Sequence, residues 1–281
     1  MKQGDFTEVA KHYHNRPAYS AMLLEKLIKC VNDNNKPLNE LKVVEVGAGT
    51  GKLTKMLASD FGVNVMAVEP NDSMRAEGEQ YTKDLDIKWQ KGSGEDTGVE
   101  SFYADWVIMA SSFHWTNPQK SLPEFARILN NDTASAYGNT MGGGGAICAK
   151  NATPPKSAYF TAIWNPRHIT EGSIFYEIEE EIKNIVPELA RVSSGTQNVK
   201  KWEEILVSTG HFKDCFFMEC DYLEVMSKER YLGAWHSVND IQAQAGQKRW
   251  QRILSMIESK ITHLDEIEIP YKIRAWSVRK V

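Results

Sequence analysis

Val43-Val44-Glu45-Val46-Gly47-Ala48-Gly49-Thr50-Gly51 is the stretch that decides the fold class of this 281-residue chain. Its β-branched run at Val43, Val44 and Val46 has the composition of a short buried strand, and alternating glycines end it. Lys52-Leu53-Thr54-Lys55-Met56-Leu57 then resumes at helical spacing. Glycine suits such a turn because a Cβ would block both the tight bend and close approach of a ligand to the backbone. Strand, glycine turn and helix together make a nucleotide-binding corner at the carboxyl end of a parallel strand. A dinucleotide fingerprint G-x-G-x-x-G would need glycine where Lys52 stands, and no G-x-x-x-x-G-K-[ST] P-loop is present. Glu45, two positions before the first glycine, is also a poor neighbour for a pyrophosphate. An NAD-dependent oxidoreductase on a similar sheet is therefore the weaker reading.

The next segments extend the pattern. Val63-Asn64-Val65-Met66-Ala67-Val68 reads as a second strand, with Glu69 at its end, about 20 residues past the turn, where a carboxylate can accept ribose hydroxyls. Pro70, Asn71 and Asp72 stop that strand and cap a helix that includes Met74. Ile87-Lys88-Trp89-Gln90 reads as a third strand leading into the acidic turn Gly92-Ser93-Gly94-Glu95-Asp96. Asp105-Trp106-Val107-Ile108-Met109-Ala110 reads as a fourth, opening onto Ser111-Ser112-Phe113-His114-Trp115.

The pattern E-x-G-x-G-x-G at 45–51 resembles motif I of the class I S-adenosylmethionine (AdoMet)-dependent methyltransferases, and the four elements fall in that family's order. Tyr13-His14-Asn15-Arg16-Pro17-Ala18-Tyr19 resembles the Y-x-x-R-P-x-Y element of its small-molecule, methyltransferase type 11 kind. Phe113-His114-Trp115 and Trp164-Asn165-Pro166-Arg167 are similar to one bacterial branch of that group. The resemblance implies an α/β fold: a doubly wound, seven-stranded, mainly parallel Rossmann-like sheet whose last two strands form an antiparallel hairpin. It implies AdoMet as cofactor and S-adenosylhomocysteine as product. By the same resemblance Glu45, Gly47, Ala48 and Gly49 hold the methionine moiety, with Tyr13 and Arg16 near its carboxylate. Glu69 takes the ribose, with Pro70 and Met74 beside it, and Ser93, Gly94 and Glu95 flank the adenine. Ser111 closes the cofactor set. Ser112, Phe113, His114 and Trp115 are expected to face the methyl group.

His114 is the expected catalytic residue, because a neutral imidazole can accept an alcohol's proton as the methyl transfers. Tyr19, Phe113, Trp115, Trp164, Arg167, Arg191 and Trp235 are the expected substrate-pocket residues, and the arginines would suit an anionic acceptor. The seven histidines are scattered without H-x-x-x-H spacing, so no metal is expected. The expected reaction is methylation on oxygen of a small molecule such as a metabolite, natural product or surface-glycan precursor; N-methylation or carboxyl O-methylation is the alternative, and a methyltransferase-like scaffold without activity a more distant one.

Composition narrows the class. With 42% apolar residues the chain can bury a large core, and a net charge of −4 without a Lys/Arg block argues against a nucleic-acid partner. No apolar run approaches the roughly 20 residues of a membrane span, and the first residues lack a signal-peptide core. Four cysteines without C-x-x-C spacing suit free thiols and a cytoplasmic location.

One domain over 1–281 is expected: an N-terminal helical lid over 1–40, a core over 41–225 with an inserted loop near 130–157, and a helical cap over 226–265 between the last two strands. Tyr159-Phe160-Thr161-Ala162-Ile163-Trp164 is taken as the fifth strand in preference to Gly145-Ala146-Ile147-Cys148-Ala149.

Overall fold

Val43, Val44 and Val46 are wholly enclosed because their strand, β1 (Lys42–Val46), lies inside a seven-stranded sheet. A computed structural model of the chain describes residues 6–130, 157–190 and 201–281. The remaining strands are β2 (Asn64–Val68), β3 (Lys88–Gln90), β4 (Trp106–Ala110), β5 (Tyr159–Trp164), β6 (Phe212–Met226) and β7 (Ile267–Lys280). Their order is β3-β2-β1-β4-β5-β7-β6; the first five run parallel, and β7 is antiparallel to both β5 and β6. The order reverses between β1 and β4, and a crevice opens outside the carboxyl ends of strands at such a switch point. Tyr159–Trp164 is the strand expected from its aromatic, β-branched run. The competing Gly145–Ala149 segment, like most of the 130–157 insertion, lies outside the described residues.

Helices pack on both faces. On one, α1 (Ala21–Val31) seats Leu24, Leu27 and Ile28 against Val43, Trp106, Ile108 and Ile273. On the other, α4 (Pro118–Ile128) and α6 (Trp202–Val207) bury Phe125 and Trp202 against Val44, Phe160 and Val278. The alternation of a strand decides these assignments: Val44 and Val46 face one layer, Val43 the other. Local sequence sets the helix starts. Ser20 accepts from the Leu23 N–H, Asn71 from those of Ser73 and Met74 at the head of α3 (Asp72–Tyr81), and Asn117 from that of Gln119 before α4. The short α2 (Lys52–Lys55) continues as a π-helical turn over Met56–Asp60. Within the sheet, Trp106 donates to Thr161 Oγ1 at 2.8 Å, and Thr161 shares a 2.7 Å hydrogen bond with Ser277, so three buried polar groups satisfy one another.

A third core belongs to the cap. Here α5 (Ile174–Ile185), α7 (Lys228–His236) and α8 (Asn239–Ile261, broken at Gly246) enclose Ile178, Tyr231, Trp235, Ile253 and Ile257. Of these helices α7 and α8 lie in sequence between β6 and β7, whereas α5 joins them from between β5 and β6. The lid is shorter than expected. Only Thr7–Asn15, a 3-10 helix, and the segment up to Ser20 lie over the sheet edge, whereas α1 is a core helix because its apolar stripe is buried against the sheet. Among the described residues no helix is long and apolar enough to cross a membrane.

Gly78 tests the packing of α3 on β3. Alanine is a better helix former by about 1 kcal/mol, yet a Cβ at this position would overlap the Trp89 ring, which is hydrogen-bonded to Thr82 Oγ1 at 3.0 Å. Overpacking costs about 1–3 kcal/mol, so Gly78→Ala should lower the urea midpoint. A raised midpoint would mean that Trp89 is not seated across the helix.

Candidate functional site

The glycine turn follows β1 at the switch point. Gly47 has φ +69° and donates to Val68 O at 2.8 Å. A Cβ there would come within 2.8 Å of Ser112 Cβ and Oγ, and Ser112 donates to Val46 O at 3.2 Å. Gly47 is therefore needed for the ends of β1 and β4 to approach. Gly49, at φ +58°, donates its N–H to Glu69 Oε2 at 2.8 Å, and Glu69 Oε1 accepts from Asn71 N at 2.9 Å. One carboxylate thus joins the turn after β1 to the helix start after β2. Burial pushes the Glu69 carboxyl above its ordinary value, and the two backbone donors oppose that shift.

Glu45 lies beneath the same turn, 1% exposed, and accepts from the Thr54 hydroxyl. Burial pushes its carboxyl up to about 8, with the neighbouring Glu69 charge adding to the effect. Two acids buried side by side favour a cationic ligand above them.

These groups border a cavity of about 1120 Å³ that runs along the carboxyl edge of the sheet. All the expected cofactor residues reach it: Glu45 and the turn Gly47-Ala48-Gly49, then Glu69, Pro70 and Met74 from the second strand and α3. Ser93, Gly94 and Glu95 form a wall beyond them, where Glu95 accepts from Asn117 N at 2.7 Å and a Cβ at Gly94 would meet Thr116 Cγ2 at 2.6 Å.

The lid closes the cavity from above. Thr7–Asn15 packs on α3 and α7, and Tyr13 stands with its ring 5.1 Å from the Arg16 guanidinium. Arg16 is held from the cap, donating from Nε to Ser237 Oγ at 2.5 Å and from a terminal nitrogen to Ser237 O at 3.0 Å. Lys52 Nζ donates to the carbonyls of His14 (2.8 Å) and Arg16 (2.7 Å), tying the lid to α2. Composition and spacing do not announce Lys52 or Ser237, since their partners are backbone carbonyls and a residue far along the chain. Tyr19 shares a 3.2 Å hydrogen bond with Ser111, which holds φ +52° at the end of β4.

On the far side, His114, Trp115, Trp164, Arg167 and Trp235 all line the cavity. Phe113 does not. It is 1% exposed and packs edge-on to Phe160 at 5.2 Å, because the 3-10 turn Phe113–Trp115 directs alternate rings to opposite sides. The expectation that Phe113 faces the methyl group is corrected accordingly. Arg191 lies outside the described residues. Arg167 is already paired: it donates to Glu179 at 2.7 Å and lies 4.8 Å from the centroid of the Trp235 ring. The expectation that it serves an anionic acceptor loses its basis, because its charge is compensated within the protein.

His114 reaches the cavity with one ring nitrogen engaged by the protein. Trp164 Nε1 donates to His114 Nδ1 at 3.1 Å. An indole N–H is a donor only, so Nδ1 must supply the lone pair and a neutral imidazole carries its proton on Nε2. In that tautomer Nε2 cannot take a proton. Residues unread in the sequence complete this wall, among them Tyr176 and Glu179 of α5, Tyr231 of α7 and Tyr271 of β7. Among the described residues no group of three or more His, Cys, Asp or Glu side chains is placed to hold a metal ion.

Comparison with known proteins matches this geometry to a family over the cofactor half. Residues 44–134 match the model of a methyltransferase domain. An uncharacterized methyltransferase of Mycobacterium tuberculosis is 31% identical over 125 residues, covering 43% of this chain and 45% of that one. The matched region spans under half the length of the curated relatives. Among solved structures, a putative type II methyltransferase from Anaeromyxobacter dehalogenans has a TM-score of 0.58 at 15% identity, over 93% of this chain and 97% of that one. A phosphoethanolamine N-methyltransferase from Haemonchus contortus, solved with S-adenosyl-L-methionine, has a TM-score of 0.50 at 16% identity, over 99% and 58%. Residues 44–134 are thus similar to a methyltransferase domain, and the fold around them is the Rossmann-like fold of solved methyltransferase structures.

The raised Glu45 carboxyl makes stability pH-dependent. Its folded value of about 8 exceeds the ordinary 4.5, so its contribution is present in full below about 4.5 and is lost as pH rises through about 8. Glu45→Gln is neutral throughout and escapes that loss. Urea midpoints should therefore fall more steeply from pH 5 to 8.5 in the wild type than in Glu45→Gln. Parallel pH profiles would place Glu45 in its ordinary ionised state.

Proposed function

We propose that this chain is an AdoMet-dependent methyltransferase that methylates an oxygen of a small molecule, releasing S-adenosylhomocysteine. The observation that carries the reading is the Glu69 carboxylate, held by Gly49 N–H and Asn71 N–H at the rim of a cavity whose floor admits no Cβ at Gly47. A carboxylate has about four acceptor positions. The two backbone donors leave Glu69 capacity for the hydroxyls of a ribose, and its charge would repel a 2′-phosphate. Glu45 sits where a cationic methionine end would stabilise its ionised form. Arg16 and Tyr13 meet the carboxylate of that end, Met74 and Pro70 flank the ribose, and Ser93, Gly94 and Glu95 border the adenine.

A cavity of about 1120 Å³ exceeds the ~300–1,000 Å³ of ordinary single-ligand sites, which suits a cofactor and an acceptor together. When bound, AdoMet supplies a methyl group already activated on a sulfonium. The chain's own work is then alignment and the exclusion of water, worth up to about 7–11 kcal/mol in well-oriented reactions. The lid residues Tyr13 and Arg16 cover the cofactor half. Trp115, Trp164 and Trp235 wall the acceptor half with flat apolar surface, against which a small molecule is held by shape. We place the enzyme in the cytoplasm, in keeping with cysteines suited to free thiols.

Titration calorimetry tests the cofactor reading. Gly49→Val adds a branched side chain where Cβ alone would already lie 3.3 Å from Met74 Cε, at a φ that glycine tolerates best. Affinity for S-adenosylhomocysteine should fall at least tenfold while the melting temperature confirms a folded protein. Glu69→Gln should weaken binding and Glu69→Ala weaken it further, since a charged hydrogen bond contributes about 1.5–3 kcal/mol. Tighter binding of NAD than of AdoMet by the wild type would sink the proposal.

A further inference from the structure

We infer that Lys52 is a positioning residue for the cofactor: by holding the lid at His14 and Arg16, it gives the site its preference for a nucleoside that carries an amino-acid tail. The inference rests on the methyltransferase reading for its ligand, whereas the hold itself joins two parts of the chain alone.

Lys52 opens α2, the end of a helix at which a cation is least favoured, so helix formation does not call for it. Its side chain crosses instead to the lid. There the 3-10 helix Thr7–Asn15 ends, and the last carbonyls of a helix have no partners within it. Lys52 Nζ donates to two carbonyls at this end, His14 O at 2.8 Å and Arg16 O at 2.7 Å. Its charge also complements the partial charge of the helix terminus. The two bonds bracket the point where the chain turns from helical to extended: Arg16 has φ −58° and ψ 152°, a conformation favoured in the residue before a proline such as Pro17. Burial pushes the Lys52 ammonium down to about 8, and the nearby Arg230 charge adds to that push. A lysine withdrawn from water in this way depends on the acceptors it reaches.

The hold matters for what the segment carries. Arg16 is gripped at both ends. Its carbonyl accepts from Lys52 and, at 3.2 Å, from Arg230, which pairs with Glu224 of β6, while its guanidinium donates to Ser237. Tyr13 places its ring 5.1 Å from the same guanidinium, and Tyr13, Arg16 and Lys52 all line the cavity. Lys52 and Arg16 take neutral partners, carbonyls in one case and Ser237 in the other, so the lid brings positive charge to this end of the cavity. A carboxylate is the complementary group. Without Nζ the lid would keep its contacts with the cap and α3 but lose its tie to the helix after the glycine turn. Arg16 and Tyr13 would then lose their register with that turn. The groups proposed for ribose and adenine, Glu69 and the wall at Ser93-Gly94-Glu95, stand on other turns and are held without Lys52. Loss of the hold should therefore be felt by the tail of the ligand and not by its nucleoside.

Titration calorimetry with two ligands separates this role from general support of the turn. S-adenosylhomocysteine carries the amino-acid tail; 5′-methylthioadenosine has the same nucleoside without it. Lys52→Met should weaken S-adenosylhomocysteine by about tenfold or more and leave 5′-methylthioadenosine within about twofold of wild type. Lys52→Arg, which keeps the charge and offers a fork of donors, should recover most of the loss. In an Arg16→Ala background the effect of Lys52→Met should shrink, because the group it positions is gone. Equal losses for the two ligands would overturn the inference and reduce Lys52 to a support of the glycine turn; so would an unchanged affinity for S-adenosylhomocysteine. Should Lys52→Met not fold, Lys52→Gln takes its place, and the same split is required of it. Hydrogen exchange reads the hold without any ligand: amides of residues 7–20 should exchange faster in the variant while those of β1 stay protected. Unchanged exchange there would mean that the lid is held without Lys52. A wild type that binds neither ligand would count against the methyltransferase reading, and the exchange result would still decide the hold.

Discussion

A single buried carboxylate organises this molecule's working edge. Glu69 accepts from the backbone of Gly49 through one oxygen and of Asn71 through the other, so the turns that follow β1 and β2 are held as one unit. Both turns carry backbone conformations with unpaired N–H groups, and a carboxylate is the acceptor that satisfies two of them at once. The rest of the edge is built around that closure. Gly47 gives up its side chain so that Ser112 can approach from β4, and Glu45 is left beneath the turn with Thr54 as its donor. Burial and the nearby Glu69 charge both push the Glu45 carboxyl up, so that a positive charge beside it would favour its ionised form.

The second feature is how much of the cavity is made by elements distant in sequence. Arg16 in the lid is held by Ser237 in the cap, and the Arg16 carbonyl takes hydrogen bonds from Lys52 and, at 3.2 Å, from Arg230. One residue therefore connects the lid, the helix after the glycine turn and the cap. The far side of the cavity is enclosed by aromatic rings supplied separately by the turn after β4, by β5, α7 and β7. Its charged groups are in part neutralised within the protein, as Arg167 is by Glu179, which leaves shape and directed hydrogen bonds as the means of recognition.

The fold was legible because its signals are local. A β-branched run, alternating glycines and an acid at the end of the next strand each follow from backbone requirements that nearby residues meet alone. The same is true of Asn71 and Asn117 as helix caps. Most of the expected cofactor positions reach one cavity because they lie at or just after strand ends, which right-handed crossovers bring to the same edge, while Tyr13 and Arg16 reach it from the lid. Phe113 shows where this kind of reading stops. A residue next to a pocket histidine can face either side of a tight turn, and only the demand for an aromatic partner for Phe160 and Trp202 decides which.

By itself, then, the sequence determined the sheet, its glycine corner and the acids that serve it, since each depends on residues within a few positions of one another. Tertiary structure alone decided that α1 is core rather than lid, that Arg167 is spent on Glu179, and that the proton of a neutral His114 belongs on Nε2. Those outcomes turn on partners from a dozen to hundreds of residues away. The last is set by one hydrogen bond, from Trp164 at the end of β5 to His114 beyond β4, and no spacing in the chain encodes which way an indole will point.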